Sequence, residues 1–277
     1  MEWRKLKNII ILILLLVNGF LLVLAASRWG EARQYARDAL DGAAQVLEGS
    51  GIQVDPDAAV PADGLAPLTV ERDLAWEAQM ARALLGKDAQ ADNRGGGLYF
   101  YQGALGELSV RAGGELSAQL ADSPAWRADS PERHAAGLLR RMGIGAEQTG
   151  AAEGDGETRV RFRQLWDGVP VFSCEVEFVY AGGSLRAVQG TLLPAGQAGT
   201  EEGRVLDLPT AMLRFLDGVT ATGDVCSVIR SMEAGYRTSS QPLSGGVRLS
   251  AAWLVSTDTA DYYLDAATGA LTRISGQ

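Results

Sequence analysis

The sequence has few of the residues that carry most enzymatic and metal chemistry. Among its 277 residues there is one histidine, His134, and there are two cysteines, Cys174 and Cys226. A single histidine excludes a metal site built from several histidines, and it leaves no choice of base for a Ser-His-Asp or Cys-His arrangement. The phosphate-binding patterns G-x-G-x-x-G and G-x-x-x-x-G-K-[ST] do not occur. We therefore expect a protein without catalytic activity, without a cofactor and without a metal.

The histidine and the cysteines have ordinary structural interpretations. His134 falls in the first turns of a predicted helix among charged residues, which indicates a surface position. Cys174 lies on the apolar side of an alternating stretch, where a free buried thiol is common. A disulfide between Cys174 and Cys226 is the alternative, because extracytoplasmic cysteines often pair and this bridge would join two units of the chain. The sequence leaves both possibilities open.

Acidic residues outnumber cationic residues outside the N-terminus. The formal net charge is −9, although the first eight residues carry three cations and one acid. The remainder of the chain is therefore more acidic than the whole. An acidic surface repels phosphate backbones, so we expect no nucleic-acid partner.

A long apolar run follows these cations. The stretch "NIIILILLLVNGFLLVLAAS" extends from Asn8 to Ser27, and its residues 9–26 would cover about 27 Å as a helix, close to the hydrocarbon thickness of a bilayer. Cations before the run favour a cytoplasmic N-terminus, and tryptophans at both ends are typical of the membrane interface. The predicted interfacial anchor consists of Trp3, Arg4, Lys5, Lys7 and Trp29. Everything after Ser27 is then expected outside the cytoplasm, with the protein in the cell membrane as a single-pass chain.

A cleaved signal peptide is the competing interpretation of the same run. The small residues of "LAAS" resemble a peptidase site. However, the apolar run is longer than the 7–15 residues typical of a signal peptide, and a helical pattern continues after it. We therefore favour an uncleaved anchor.

An amide and a glycine interrupt the apolar run near its middle. An amide in lipid is costly unless it finds a partner, and an adjacent glycine lets two helix backbones approach closely. Asn18, Gly19 and Phe20 are therefore predicted to mark a contact with a transmembrane helix of another protein. The alternative is that a single asparagine is simply tolerated in this span.

The rest of the chain alternates between helical and extended patterns. Apolar residues at helical spacing continue to Gly49, so a helix is expected to rise directly from the membrane. Further helices are expected with Thr69, Ser130 and Asp207 as their N-caps. Short strands and glycine turns lie between them, and "AAEGDGE", residues 151–157, is interpreted as an acidic loop.

These elements predict an α+β fold. A parallel α/β sheet is disfavoured because no crossover helices separate the later strands. The predicted organisation is a cytoplasmic N-terminus at 1–8, a transmembrane helix at 9–26, a membrane-proximal α+β region at 30–125, and two tandem helix-plus-antiparallel-sheet units at 130–200 and 205–277.

Two strands of the first unit carry complementary charges. In "TRVRFRQLW" arginines alternate with apolar residues, and in "VFSCEVEFVY" glutamates do so. The arginines are Arg159, Arg161 and Arg163, and the glutamates are Glu175 and Glu177. Antiparallel pairing would place arginines opposite glutamates, which favours the pairing by a few tenths of a kcal/mol per pair. The two glutamates are therefore expected to form solvated ion pairs rather than to act as an acid and a base.

Three stretches resemble known families. The ending "AWLVSTDTADYYLDAATGALTRI" resembles the PepSY-type pattern, and "FRQLWDGVPVFSCEVEFVYAGGSLRAVQG" is similar to the matching part of related modules. The start, "MEWRKLKNIIILILLLVNGFLL", resembles the YycI family of membrane-anchored regulators of the YycG (WalK) sensor histidine kinase. The residues that carry this likeness are Glu2, Trp3, Lys5, Lys7, Asn18, Phe20 and Leu21.

The resemblance implies a function in signal transduction. Such a protein would have PepSY-like ectodomain units, would associate with a YycH-like partner and with the kinase, and would tune kinase signalling without catalysing a reaction. The alternative is an anchored PepSY-like module that binds a peptide or inhibits an extracytoplasmic protease through sheet edges and exposed aromatic residues such as Trp166 and Tyr263. This alternative would work without its anchor, whereas the regulator would not.

Overall fold

The structure is a computed structural model that describes residues 2–55, 65–194, 198–200, 205–239 and 246–274. The described residues include four α-helices and a 3-10 helix, Pro124–Trp126. The α-helices are α1 (Glu2–Gly49), α2 (Leu74–Leu85), α3 (Pro131–Arg141) and α4 (Leu208–Thr222). Fifteen strands accompany them: β1 (Gln53–Val54), β2 (Leu68–Glu71), β3 (Gln90–Asn93), β4 (Tyr99–Gly103), β5 (Gly106–Val110), β6 (Glu115–Leu120), β7 (Gly145–Gly154), β8 (Glu157–Trp166), β9 (Val169–Ala181), β10 (Ser184–Thr191), β11 (Ala198–Thr200), β12 (Val228–Thr238), β13 (Gly246–Thr257), β14 (Asp261–Asp265) and β15 (Leu271–Arg273).

Local sequence signals explain where the helices begin. The side chain of Ser130 accepts a hydrogen bond from the backbone N–H of Arg133, and Asp207 does the same for Thr210. A proline follows each cap in the first turn, where its missing N–H costs nothing. The predicted caps of α3 and α4 are thus confirmed.

The strands form one continuous, mostly antiparallel sheet. Its path runs β11-β2-β13-β12-β9-β10-β6-β5-β4-β3, while β8 and then β7 extend from β9, and β14 and then β15 extend from β13. Only two pairings in the described strands are parallel, β1 with β12 and β9 with β12. The predicted α+β class is therefore confirmed.

Two hydrophobic cores lie along this sheet. The N-terminal core joins α2 and α3 to β4–β6 and β8–β10, and its largest fully buried side chains include Met80, Leu108, Leu138 and Phe178. The indole N–H of Trp76 in α2 donates to the carbonyl of Met142 at 2.9 Å, which ties α2 to the end of α3. Residues 76–85 therefore share one core with residues of α3 and its strands.

The C-terminal core has a similar construction. It joins the last turns of α1 and the buried face of α4 to β2, β12, β13 and β14, around Leu47, Phe215, Trp253 and Tyr262. The start of β9 also contributes, through Val171 and Cys174. The boundaries predicted at 125–130 and 200–205 stay a prediction, because each core draws on segments that are distant in the chain.

Two local predictions were wrong. Thr69 belongs to β2, and the N-cap of α2 is Asp73, whose carboxylate accepts from the backbone N–H groups of Ala75 and Trp76. Residues 151–157 are not a loop, since β7 continues to Gly154 and β8 begins at Glu157. Asp155 and Gly156 form the tight turn between them with positive φ angles of 53° and 78°, as two-residue hairpin turns require.

A buried ion pair beneath the N-terminal core was not predicted from the sequence. The guanidinium of Arg72 donates to both carboxylate oxygens of Glu77, at 2.6 and 2.9 Å, and to the carbonyl of Gly97 at 2.6 Å. The hydroxyl of Tyr101 also donates to Glu77, at 3.3 Å. Burial and the neighbouring carboxylate raise the pKa of Tyr101 to about 12.

The ion pair gives a stability prediction. We expect Glu77→Gln to lower the free energy of unfolding by about 3–5 kcal/mol, because it leaves Arg72 buried without a counter-charge. The double variant Arg72→Met/Glu77→Leu should regain most of that loss, since an apolar pair of similar volume needs no desolvation of charge. Denaturant unfolding of the full-length chain in detergent measures both, and equal losses in the single and double variants would contradict this account.

Candidate functional site

The first half of α1 exposes an unusual amount of apolar surface. Its side chains from Ile13 to Val17 and from Phe20 to Leu22 are between 48% and 73% exposed. Contiguous apolar surface on a protein in water generally marks contact with a membrane or with another protein. This surface is therefore the first candidate for a functional site.

Asn18, Gly19 and Phe20 lie within this exposed surface. All three are exposed, and a Cβ added at Gly19 would have no atom within 4 Å. A helix turns by about 100° per residue, so the side chains of Asn18 and Phe20 point about 160° apart. A single partner helix that contacts Asn18 and Gly19 would therefore leave Phe20 on the far side.

Little is described of the predicted interfacial anchor. Trp3 is 78% exposed. Arg4, Lys5, Lys7 and Trp29 are in α1 by their backbone, but their side chains lie outside the described residues. Their predicted role stays a prediction.

Within the residues that the structure describes, no helix offers a stretch both long enough and apolar enough to cross a membrane. The transmembrane helix at 9–26 therefore stays a prediction.

The other end of α1 is fixed inside the C-terminal core. Leu47 is fully buried and Ala43 is 4% exposed, and both pack in the cluster that contains α4. Beyond Gly49 the chain turns through Gly51, which has a φ of 86°, into β1. β1 then pairs in parallel with β12, Gln53 opposite Val228. We call the contacts of α1 and β1 with α4 and β12 the helix junction.

The sequence predicted only part of the helix junction. The helical spacing of the buried residues in α1 was visible, and so was the helix end at Gly49. The pairing of β1 was missed because β1 has two residues and no alternating pattern of its own. Its position is set by β12, which is far away in the sequence.

On the charged face of β8 and β9, two of the three arginines lie opposite glutamates, as predicted, whereas Arg159 lies opposite Val179. Arg161 lies opposite Glu177 and Arg163 lies opposite Glu175. The nitrogen–oxygen distances of these pairs are 3.9 and 3.5 Å, so they are ion pairs rather than short hydrogen bonds. The arginines and glutamates therefore neutralise one another across the sheet, as the alternating pattern indicates.

Arg163 also connects the two parts of the sheet. Its guanidinium lies 3.7 Å from a carboxylate oxygen of Glu147 in β7 and 3.6 Å from one of Glu233 in β12. Burial raises the pKa of Glu233, and Glu147 adds to this effect, while Arg163 opposes it. The contact with Glu233 was not predictable, because it depends on β12 lying beside β9.

An aromatic cluster continues this face. The rings of Phe172 and Tyr263 are 5.8 Å apart, and the guanidinium of Arg237 lies 4.1 Å from the centre of the Tyr263 ring. A Cβ at Gly235 would lie 2.6 Å from the Phe172 ring, so glycine is needed there. Trp166, in contrast, is buried in the C-terminal core. The prediction of an exposed Trp166 was therefore wrong.

The histidine and the cysteines do not form a reactive site. The Nδ1 atom of His134 is 2.9 Å from the hydroxyl of Tyr180, and burial lowers the pKa of His134. His134 lies on α3 with intermediate exposure, and its ring contacts Trp126 and Tyr180. Cys174 and Cys226 are both free and buried, and burial raises the pKa of Cys174 to about 12. A buried neutral thiol is a poor nucleophile.

No metal-binding group of three or more histidine, cysteine, aspartate or glutamate residues occurs in the part of the chain that the structure describes. The arrangements found there are ion pairs, aromatic contacts and an exposed apolar helix.

Comparisons with known proteins add little to this picture. No protein-family model matches the chain, and no curated protein matches it. Among solved structures, the Bacillus megaterium YpeB C-terminal domain is similar, with 13% sequence identity and a TM-score of 0.37 over 75% of this chain and 100% of that chain. At this identity and TM-score the likeness carries no argument about family or function.

The helix junction gives a stability prediction with a matched control. We expect Leu47→Ala to lower the free energy of unfolding by about 2–5 kcal/mol, because it leaves a cavity between α1 and α4. Val46→Ala, which truncates the exposed neighbour in the same helical turn, should change it by less than about 0.5 kcal/mol. Denaturant unfolding of the full-length chain is the measurement. Equal effects would show that α1 is not held through Leu47.

The pKa of Glu233 gives a pH prediction. A carboxyl group with a raised pKa in the folded state favours folding while it is protonated, and this contribution is lost as the pH rises through that pKa. The ordinary pKa of a glutamate side chain is 4.5. As the pH rises above this value, we expect the free energy of unfolding of Glu233→Gln to increase relative to that of the wild type. Denaturation midpoints measured between pH 4 and 7 test this, and a constant difference would contradict it.

Proposed function

We propose that this protein is a membrane-anchored, extracytoplasmic regulator of a two-component sensor histidine kinase. In this proposal α1 anchors the chain in the cell membrane with its N-terminus in the cytoplasm, and the α+β domain lies outside. The observation that carries the proposal is the exposed apolar surface of α1, on a helix that continues into the C-terminal core.

The exposed apolar surface of α1 would be stabilised by contact with lipid or with another protein. Burying one leucine-sized side chain contributes about 1.5–3 kcal/mol, and eight apolar side chains between Ile13 and Leu22 are exposed. The hydrocarbon of a bilayer would cover all sides of the helix at once, whereas a protein partner would cover one face. The three cations before the apolar run and the exposed Trp3 support the proposed orientation.

Asn18 and Gly19 support a contact with a second helix within the membrane. A hydrogen bond between side chains in lipid contributes about 0.6–2 kcal/mol, which selects a geometry more than it drives association. The transmembrane helices of the kinase are the proposed partner. A YycH-like protein is the proposed second partner, and this part rests on the resemblance of the N-terminus to the YycI family alone.

Because α1 is one uninterrupted helix, it could transmit movement of the ectodomain to the anchor. About 14 residues, or about 21 Å of helix, separate the end of the apolar run from the first residues that pack on the core. A tilt or rotation of the ectodomain would therefore move the anchor with it. For this to regulate a kinase, the anchor must contact the active and inactive states of the kinase differently. No reaction by the chain itself is needed.

The contact in the membrane is testable by substitution. We expect Asn18→Leu/Gly19→Leu to weaken co-purification with the kinase and to change kinase output, because it removes the amide and the close approach of the backbones. Phe20→Leu is the matched control, since it lies in the same turn but on the far side of the helix. Co-purification from membranes and a reporter of kinase output are the measurements. Wild-type behaviour of the double variant in both assays would refute the proposed contact.

The alternative, a peptide-binding or protease-inhibiting module, makes the opposite prediction about the anchor. The soluble ectodomain, residues 30–277, should then restore function in cells that lack the protein. A membrane-anchored regulator requires α1 in the bilayer, so restoration by the soluble ectodomain would favour the alternative.

A further inference from the structure

A short segment between β6 and α3 packs on the N-terminal core through one buried tryptophan. We call residues 123–130 the strap. Trp126 is 4% exposed, belongs to the N-terminal core and is the only buried residue of the strap. Its indole N–H has no hydrogen-bond partner among the described residues, so packing contacts hold this side chain. The position of the strap therefore depends on the groups that touch Trp126.

The backbone of the strap meets the sheet at only two residues in the described part of the chain. The N–H of Ala128 donates to the carbonyl of Gly183 at 2.9 Å, and Arg127 forms an isolated bridge with Ser184. Both partners lie where β9 turns into β10. The strap therefore lacks a strand ladder that would hold it in place without Trp126.

His134, on α3, contacts Trp126. The centres of the two rings are 6.2 Å apart, and the centre of the His134 ring also lies 5.8 Å from that of the Tyr180 ring. The Nδ1 atom of His134 is 2.9 Å from the hydroxyl of Tyr180, which is on β9 and is 1% exposed. His134 therefore connects the strap, through Trp126, to a buried residue of the sheet.

The hydroxyl of Tyr180 determines which nitrogen of His134 carries the proton. A buried phenol hydroxyl needs an acceptor, and Nδ1 is the only hydrogen-bond partner that the described residues give it. Burial raises the pKa of Tyr180, so the hydroxyl keeps its own proton. We therefore assign Nδ1 as the acceptor and Nε2 as the protonated nitrogen of a neutral ring.

Protonation of the His134 ring is incompatible with this hydrogen bond. Both nitrogens of an imidazolium are donors, so an Nδ1–H would point at the Tyr180 oxygen and the hydroxyl proton would lose its acceptor. A cation would also lie half-buried beside Trp126, and burying a charge without a counter-charge is costly. The neutral ring therefore fits this position better than the charged ring.

The charges around His134 also disfavour a cation. Burial lowers the pKa of His134, and the positive charge of Arg141, two turns along α3, lowers it further. β9 has no charged residue within two positions of Tyr180. The charged residues of the strap and of α3 are Arg127, Asp129, Glu132, Arg133, Arg140 and Arg141. Cations thus outnumber acids in the two elements that meet at the ring.

From these contacts we propose that His134 is a pH-sensitive switch that controls the strap. At neutral pH its ring accepts from Tyr180 and supports Trp126. When the ring is protonated, this hydrogen bond is lost, and Trp126 moves with the strap away from the N-terminal core. The proposal goes beyond kinase regulation and does not depend on it.

The direction of the pH effect follows from the neutral ring. A base whose pKa is lowered in the folded state favours folding while it is neutral. The closed position of the strap is therefore fully stable above pH 6.5, the ordinary pKa of histidine, and loses stability as the pH falls below that value.

Nuclear magnetic resonance tests the protonation of His134 directly. His134 is the only histidine of the chain, so ¹³C-labelled histidine in the full-length protein in detergent gives one ring signal. We expect its titration midpoint to lie below 6.5. Tyr180→Phe should raise the midpoint by about 0.5–1 pH unit, because it removes the donor that stabilises the neutral ring. A wild-type midpoint at or above 6.5, or no upward shift in Tyr180→Phe, would overturn the proposal.

Acrylamide quenching of tryptophan fluorescence tests the movement of the strap. The difference between the wild type and Trp126→Phe isolates the contribution of Trp126. We expect quenching of this contribution to rise at least about twofold between about pH 7 and pH 5, with the midpoint of the His134 titration. His134→Gln should abolish the rise, since a glutamine oxygen can accept from Tyr180 at every pH. The matched control is Trp253→Phe, which isolates a tryptophan buried in the C-terminal core.

Three outcomes of the quenching experiment would contradict a switch at His134. The first is unchanged quenching of Trp126 over the range in which His134 titrates. The second is an equal rise in His134→Gln, which would assign the effect to other titrating groups. The third is an equal rise for Trp253, which would indicate unfolding of the whole domain.

Discussion

The structure depends on β9, because this strand contributes to both hydrophobic cores. Val176 and Phe178 pack in the N-terminal core, whereas Val171 and Cys174 pack in the C-terminal core. A strand is nearly inextensible along its length, so neither core can shift along β9 without disturbing the other. Phe172 over Gly235 adds a close contact at the point where β9 meets β12. A displacement of one core is therefore expected to displace the other.

α1 is constrained differently, because, among its described side chains, only those at its C-terminal end pack on the rest of the protein. Its last turns are buried with α4, while its apolar first half makes no such contacts among the described side chains. An isolated helix in water is held together only weakly by its own hydrogen bonds, and packing usually supplies most of its stability. The exposed half of α1 therefore requires a bilayer or a partner to be a stable helix.

Sequence patterns predicted the local structure well and the contacts between distant segments poorly. The alternation in β8 and β9 was enough to predict that arginines of one strand face glutamates of the other, since a one-residue slip would bury the charges. Thr69 was misassigned because the helical spacing of α2 begins near a short strand that only β13 and β11 stabilise. Arg72 and Glu77 are only five residues apart, but the contacts that bury their ion pair, with Gly97 and Tyr101, come from a distant part of the chain. The contact of Arg163 with Glu233 depends on β12 lying beside β9.

β7, at one edge of the sheet, and α1 are joined by a short series of strand pairings. β7 pairs with β8, β8 with β9, β9 with β12, and β12 with β1, which follows α1 directly. The first two pairings are long antiparallel ladders, whereas β9 and β12 share one registered pair, Val171 with Tyr236. The ion pair between Arg163 and Glu233 and the hydrogen bond from the Thr238 N–H to the Ser173 hydroxyl, at 2.8 Å, reinforce that point. Coupling between two sites requires an element with two arrangements that both sites bias. In this fold the β9–β12 contact has the fewest registered pairs of the series, so a rearrangement there would break the fewest backbone hydrogen bonds.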